Sequence, residues 1–319
     1  MSVLRLGTRG SLLALTQSRQ VKAALEANGH AVELEIIRTA GDGQLDMPIH
    51  ELSGQGLFTR ELDEALLSGR VHLAVHSLKD LPTVLPDGLC LAAVPTRVDS
   101  RDVVVGPEGE RTTLASLEGG AVVGTSSLRR MALLRAFRHD LSPRMIRGNV
   151  DTRLRKLDEG QFDAIILAGA GLMRLGFEGR VTEWLECASW PPAPGQGALG
   201  IVTNAEDTDA VDIVGALNDP TSAAAVAAER AFLESLGGGC QVPIGAFGMP
   251  YDLKLRLSGM VASPDGTRMA RGDLTGDGAA PEDLGRRLAD LLRSRGAEGI
   301  LAPLRAMESK EDGPVGVSP

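Results

Sequence analysis

VLRLGTRGSLLALTQSRQVKAALEANGHAVELEII (residues 3–37) carries two periodicities in one short run. Val3 to Leu6 alternates apolar and basic residues, as a strand does, and Thr8-Arg9-Gly10-Ser11 makes a turn. From Leu12 to Ala27 the apolar residues fall at helical spacing, and Asn28-Gly29 is a helix stop. Val32 to Ile37 reads as a second strand, which completes a β-α-β unit and sets the class as α/β.

The same order recurs downstream. Thr59 is placed to cap a helix through Leu67, and Val71 to Val75 alternates as a strand before His76-Ser77-Leu78-Lys79-Asp80-Leu81-Pro82. Ala121 to Gly124 ends a strand, Thr125-Ser126-Ser127 supply capping hydroxyls, and Leu128 to Phe137 reads as a helix with Arg129 and Arg130 in its first turn. Arg147-Gly148-Asn149 precedes a helix from about Thr152 to Leu157. Ala164 to Leu167 is wholly apolar, as in a sheet covered on both faces, and runs into Gly169-Ala170-Gly171 and a helix start bearing Arg174. Three prolines, Pro191, Pro192 and Pro194, break the pattern before Gly195-Gln196-Gly197.

Two stretches stand apart. Residues 40–58 are glycine-rich and end in Gly54-Gln55-Gly56-Leu57-Phe58, which reads as a long mobile loop of the lid type. The last third changes character. It holds an alanine-rich helix from Ser222 to Leu236, a Gly237-Gly238-Gly239-Cys240 turn and a strand from Leu253 to Leu257. A Ser263-Pro264-Asp265-Gly266 hairpin turn, a helix from about Pro281 to Arg293 and a polar tail over 308–319 follow.

At 319 residues the chain has room for two or three domains, and 43% hydrophobic with 24% charged residues is ordinary for a soluble globular protein. No apolar run approaches the roughly 20 residues that span a bilayer. The first ten residues lack an apolar signal core, so a cytoplasmic location is expected. Cys90, Cys187 and Cys240 are too scattered for a disulfide framework or a metal site, so no metal is expected. A net charge of −9 argues against general nucleic-acid binding. Against that acidic background, Arg9, Arg129, Arg130, Arg147, Arg153 and Arg174 fall at or near glycine-rich turns, the pattern of a focused anion site.

Nearly every candidate lies just after a predicted strand, where open α/β sheets bind ligands. The Gly124 to Arg130 turn offers a helix N-terminus to an anion. Adjacent on a helix, Arg129 and Arg130 diverge by about 100° and are expected to serve two separate carboxylates rather than one. Asp80 is either a salt-bridged loop carboxylate or a catalytic acid beside a cationic intermediate. His76 is expected to be a satisfied structural histidine. Cys240, in its glycine turn, is reachable and is a candidate carbon nucleophile, whereas Cys90 and Cys187 read as packing residues. An anion receptor without chemistry and a cysteine-dependent transferase without a permanent cofactor remain open as alternatives.

Taken together, LGTRGSLLALTQ (6–17), GLFTREL (56–62), AVHSLKDLP (74–82), VGTSSLRR (123–130), RGNVDTRL (147–154), LAGAGLMRLG (167–176), PGQGA (194–198) and GGGCQVPIG (237–245) closely resemble the porphobilinogen deaminase, or hydroxymethylbilane synthase, family. The resemblance implies three α/β domains. Two are doubly wound and like periplasmic binding proteins, with the active-site cleft between them, and a smaller third carries the cofactor cysteine. The implied boundaries are 1–97 with 192–216, 98–191, and 217–307. It implies condensation of four porphobilinogen molecules into hydroxymethylbilane with loss of ammonia, by a monomer, on a dipyrromethane cofactor held as a thioether by Cys240. By the same resemblance Asp80 is catalytic, and Lys79, Ser77, Thr125, Ser126, Ser127, Arg129, Arg130 and Arg153 hold the cofactor. Arg9, Ser11, Gln17, Arg147, Arg153 and Arg174, with Phe58 and Gln196, bind substrate or chain. Gln55 stands where many members have Lys, and Arg60 is the candidate to compensate.

Overall fold

The computed structural model describes residues 3–39, 59–237, 242–252 and 254–311. The first elements are β1 (Leu4–Thr8), α1 (Leu12–Ala27), β2 (Val32–Ile36), α2 (Arg60–Leu67), β3 (Leu73–Ser77) and β4 (Leu89–Ala93). Next come β5 (Asp102–Val105), β6 (Val122–Gly124), α3 (Leu128–Phe137), β7 (Ser142–Arg144), α4 (Val150–Asp158), β8 (Ala164–Ala168), α5 (Gly169–Leu175) and β9 (Glu183–Leu185). The chain continues through β10 (Leu199–Asn204), α6 (Thr208–Gly215) and α7 (Pro220–Ser235). It ends in β11 (Ile244–Tyr251), β12 (Lys254–Ala262), β13 (Met269–Asp277), α8 (Pro281–Ser294) and α9 (Ala297–Glu311). Helix α9 has no counterpart in the sequence reading and reaches into the stretch read there as tail.

Two five-stranded sheets share one plan. The first runs β2-β1-β3-β10-β4 and the second β7-β6-β8-β5-β9. In each, four strands run in one direction and only the fourth in order, β10 or β5, lies antiparallel to both its neighbours. That fourth strand is the one that enters from the other sheet, so the two lobes are joined by two crossings, at 94–101 and 186–198. Parallel strands need crossover helices: α1 covers Leu6 and Leu73 in the first lobe, and α3 to α5 help keep Val103, Val104, Ile165 and Ile166 out of solvent in the second.

Local chemistry sets the helix starts. Ser11 accepts the Ala14 N–H ahead of α1, Ser127 accepts the Arg130 N–H ahead of α3, and Asp219 caps α7 with Pro220 in its first turn. Thr59 precedes α2 as expected but makes no side-chain cap bond. The third sheet, β11-β12-β13, is an antiparallel meander covered by α7 and α8. Leu284, Leu288 and Leu292 recur along one face of α8 and are almost fully buried, each contributing roughly 2 kcal/mol.

The crossings meet where glycine is required. Gly197 has φ +87°, and a Cβ there would lie 2.6 Å from the Val98 carbonyl oxygen. Nearby, Glu229 on α7 is fully buried; it takes both Nη atoms of Arg97 from one crossing and the Gly195 N–H from the other. It also accepts the Gly248 N–H of β11, so one carboxylate ties the third sheet to both connections between the lobes.

Candidate active-site cleft

A cleft of about 670 Å³ lies between the two lobes, at the carboxyl ends of β1, β3 and β8. From the first lobe come Arg9, Ser11, Gln17, Ser77, Lys79 and Asp80; from the second, Ser126, Arg130, Arg147, Arg153 and Arg174; from the crossing, Gln196. Residues far apart in sequence converge because each follows a strand end. The Gln17 amide donates to Ser77 Oγ at 2.8 Å, which fixes α1 against the end of β3. Asp80 ends a single 3-10 turn, Leu78–Asp80, and its side chain is exposed toward the cleft.

The expected cofactor ligands divide. Thr125 is fully buried and accepts the Ser127 N–H, and Ser127 caps α3; neither lines the cleft. Arg129 does not line it either: its Nη1 lies 2.8 Å from Asp102 Oδ2 and donates to the Pro191 carbonyl. Arg130 reaches the other carboxylate oxygen, Asp102 Oδ1, at 2.7 Å, while lining the cleft. The expectation that these arginines serve separate carboxylates therefore fails at Asp102. Their different side-chain paths bring both guanidiniums to one buried carboxylate, which also accepts from Gln196 Nε2 and Trp190 Nε1. Burial alone would raise the Asp102 carboxyl, but the Arg129 and Arg130 guanidiniums hold it far below the usual carboxylate range. Phe58, Gln55 and Cys240 lie outside the described residues.

Electrostatically the cleft holds cations short of anions. Burial lowers Arg153 and Arg174 to about 10, and they donate to the carbonyl oxygens of Gly148 and Gly197 rather than to carboxylates. Burial likewise takes Lys79 to about 8, with Asp80 opposing the shift. Such a site favours a ligand bearing several carboxylates. His76 lines the same cleft and is held neutral, its pKa brought to about 4 by burial and by Arg9. Its Nε2 is buried without a hydrogen-bond partner, so it is not the satisfied histidine expected.

Some residues escaped the sequence reading. Arg38, two residues past the end of β2, lines the cleft, and the strand-end rule applied there would have found it. Asp102 had no such signal, since it begins a strand and is flanked by no glycine turn. Arg60 pairs with Glu64 on the exposed face of α2 and is not among the cleft-lining residues. No helix among the described residues is long and apolar enough to cross a membrane, and no group of three or more metal-ligating side chains occurs among them.

Two doubly wound lobes closing on a cationic cleft, with Asp80 as an exposed carboxylate past the end of β3 and Asp151 on the opposite lobe, define a two-lobed α/β enzyme for polyanionic substrates. The chain belongs to the porphobilinogen deaminase family, whose members are transferases. The family profile described as "Porphobilinogen deaminase, dipyromethane cofactor binding domain" matches residues 4–212, and "Porphobilinogen deaminase, C-terminal domain" matches 223–294. The chain is 50% identical over 301 residues to the porphobilinogen deaminase of Syntrophobacter fumaroxidans, covering 94% of this chain and 97% of that one. It is also 50% identical to that of Roseiflexus castenholzii, covering 94% and 98%. Among solved structures, the methionine-binding protein MetQ is similar at TM-score 0.44 and 13% identity, over 67% of this chain and 89% of that one. The second substrate-binding domain of Lactococcus lactis GlnP is similar at TM-score 0.43 and 10% identity, over 74% and 91%.

Proposed function

We propose that the cleft around Asp80 is where this transferase of the porphobilinogen deaminase family condenses four porphobilinogen molecules into linear hydroxymethylbilane. The reading assigns Cys240 as the thioether anchor of the dipyrromethane cofactor. The observation that carries it is the shortage of carboxylates opposite Lys79, Arg153 and Arg174, beside the exposed Asp80.

The donor set fits a dipyrromethane. Each pyrrole bears two carboxylates, and Lys79, Ser126, Arg130 and Arg153 line one cleft with charge and hydroxyl donors to receive them. Thr125, Ser127 and Arg129 support that wall from behind. When bound, the cofactor supplies a nucleophilic pyrrole carbon to which the first substrate is joined. The chain's residues do the rest. Arg9, Ser11, Gln17, Arg147 and Arg174 orient the incoming acetate and propionate groups, with Phe58 and Gln196 as further contacts. Asp80 gives a proton to the departing amine as the aminomethyl C–N bond breaks, and its carboxylate then stabilises the cationic substrate left behind. The ring carbon that forms the new C–C bond loses its proton, which restores aromaticity.

Domain limits of 1–97 with 192–216, 98–191 and 217–307 follow the two crossings and the start of α7. Thioether attachment at Cys240 needs a reduced thiol beforehand, which suits a reducing cytoplasm, and the net charge of −9 suits a small-molecule enzyme rather than a nucleic-acid binder. Asp80→Asn tests the assignment: substrate still binds, and turnover falls by roughly 100-fold or more. Near-normal product formation would remove Asp80 from this role.

A further inference from the structure

Helix α7 serves two masters. Ala225, Ala228 and Phe232 pack into the core of the third sheet. Val226, by contrast, is buried with Leu78, Val94 and Ala198 in a small cluster under the cleft. Leu78 begins the one-turn helix that ends at Asp80. One turn further along α7, Arg230 Nη2 donates to the Pro82 carbonyl at 2.7 Å and to the Thr83 carbonyl at 2.9 Å. Side chains at i and i+4 share a helix face, so one face of α7 grips the Asp80 turn on both sides. Within the turn, Leu81 N–H returns to the Leu78 carbonyl, and Leu78 N–H is bound by the Ala198 carbonyl.

Arginine is a costly way to hold two carbonyl oxygens. Burial lowers the Arg230 pKa, with only Glu234, one turn on, opposing the shift. A packing contact alone would be served by an apolar residue, whereas two carbonyl oxygens converging on one nitrogen call for a donor that carries two N–H bonds. Arg230 is not among the residues lining the cleft, so it acts through the turn rather than on a ligand.

We propose that Arg230 is a positioning residue for the reaction, clamping the segment after Asp80 so that its carboxylate points into the cleft. The inference rests on the assignment of Asp80 as the proton donor. Loss of the clamp leaves the carboxylate-binding arginines in place but frees the turn. Misplacement of a reacting group by about 1 Å costs on the order of 100-fold in rate.

The test uses cofactor-loaded, full-length protein with Arg230→Met, Arg230→Lys, Asp80→Asn and the Asp80→Asn/Arg230→Met double variant. Readouts are kcat and KM for porphobilinogen, together with the bound primer by intact mass. In Arg230→Met the primer is retained, KM stays within about twofold and kcat falls about tenfold or more. Arg230→Lys, which keeps one cationic nitrogen with several N–H donors, regains most of that loss. In the Asp80→Asn background the second change adds almost nothing, because there is no acid left to aim. Full kcat in loaded Arg230→Met overturns the proposal, as does an equal fold-loss in both backgrounds or a rate loss that only tracks missing primer. Should the Met variant not fold, Arg230→Gln is read by the same criteria. Normal turnover in Asp80→Asn would instead sink the Asp80 assignment, so the two failures are distinct.

Discussion

Arg130 Nη2 stands 2.7 Å from Asp102 Oδ1, with the carboxylate wholly buried and the guanidinium nearly so. Asp102 begins β5, the strand that carries the chain into the second lobe, and it also takes Arg129 and Gln196. It thus pairs with two cations at the base of the cleft, leaving one positive charge in excess, while joining α3 to the second crossing.

Removing that carboxylate strands two buried guanidiniums. Asp102→Ala is expected to cost about 3–5 kcal/mol of stability, and Asp102→Asn less, since it keeps part of the hydrogen bonding. Urea denaturation at pH 7 measures both. Because the folded pKa of Asp102 is depressed, its contribution is present above the unfolded value near pH 4 and is lost as pH falls below that. The Asp102 variants are therefore closest to wild type in strong acid.

His76 gives the opposite signature. Its folded pKa of about 4 lies below the ordinary value of 6.5, so between those values the unfolded chain binds the extra proton. Stability rises with pH across that window, and acidification from pH 7 toward 4 costs on the order of 3 kcal/mol through this residue. The stability gap between wild type and His76→Gln, followed by denaturation at each pH, should shift by that amount. A pH-independent gap would remove His76 as the cause.

Lys79 titrates in the working range. Burial brings it to about 8, so the cation that receives a carboxylate is present below that pH and lost above it. Loading of primer into cofactor-free protein is expected to weaken as pH rises through 8, and Lys79→Arg to lose that alkaline limb. Intact-mass measurement of the loaded fraction from pH 7 to 9 decides it, and a limb unchanged in Lys79→Arg would point to another group.

Much of the fold was legible because its signals are local. The spacing of Leu12 to Ala27 matches α1 to the residue, and the apolar run at Ala164 matches the buried β8. The strand-end rule gathered Arg9, Lys79, Arg147 and Arg174 around one cleft although they are scattered along the chain. What escaped depends on long-range packing. Nothing near Asp102 or Glu229 in sequence signals that each will collect donors from separate segments, and Arg129 differs from Arg130 only in which side of α3 it leaves. Helix α9 was missed because Pro303 lies inside it, and proline ordinarily argues against a helix interior.

Intact-protein mass spectrometry of freshly purified, active enzyme tests the central claim, a growing chain tethered at Cys240 in the Asp80 cleft. The expected mass exceeds that of the polypeptide by two linked pyrrole units, an excess absent from Cys240→Ser. A bare polypeptide mass in protein that turns over porphobilinogen, or an excess that survives Cys240→Ser, would contradict it.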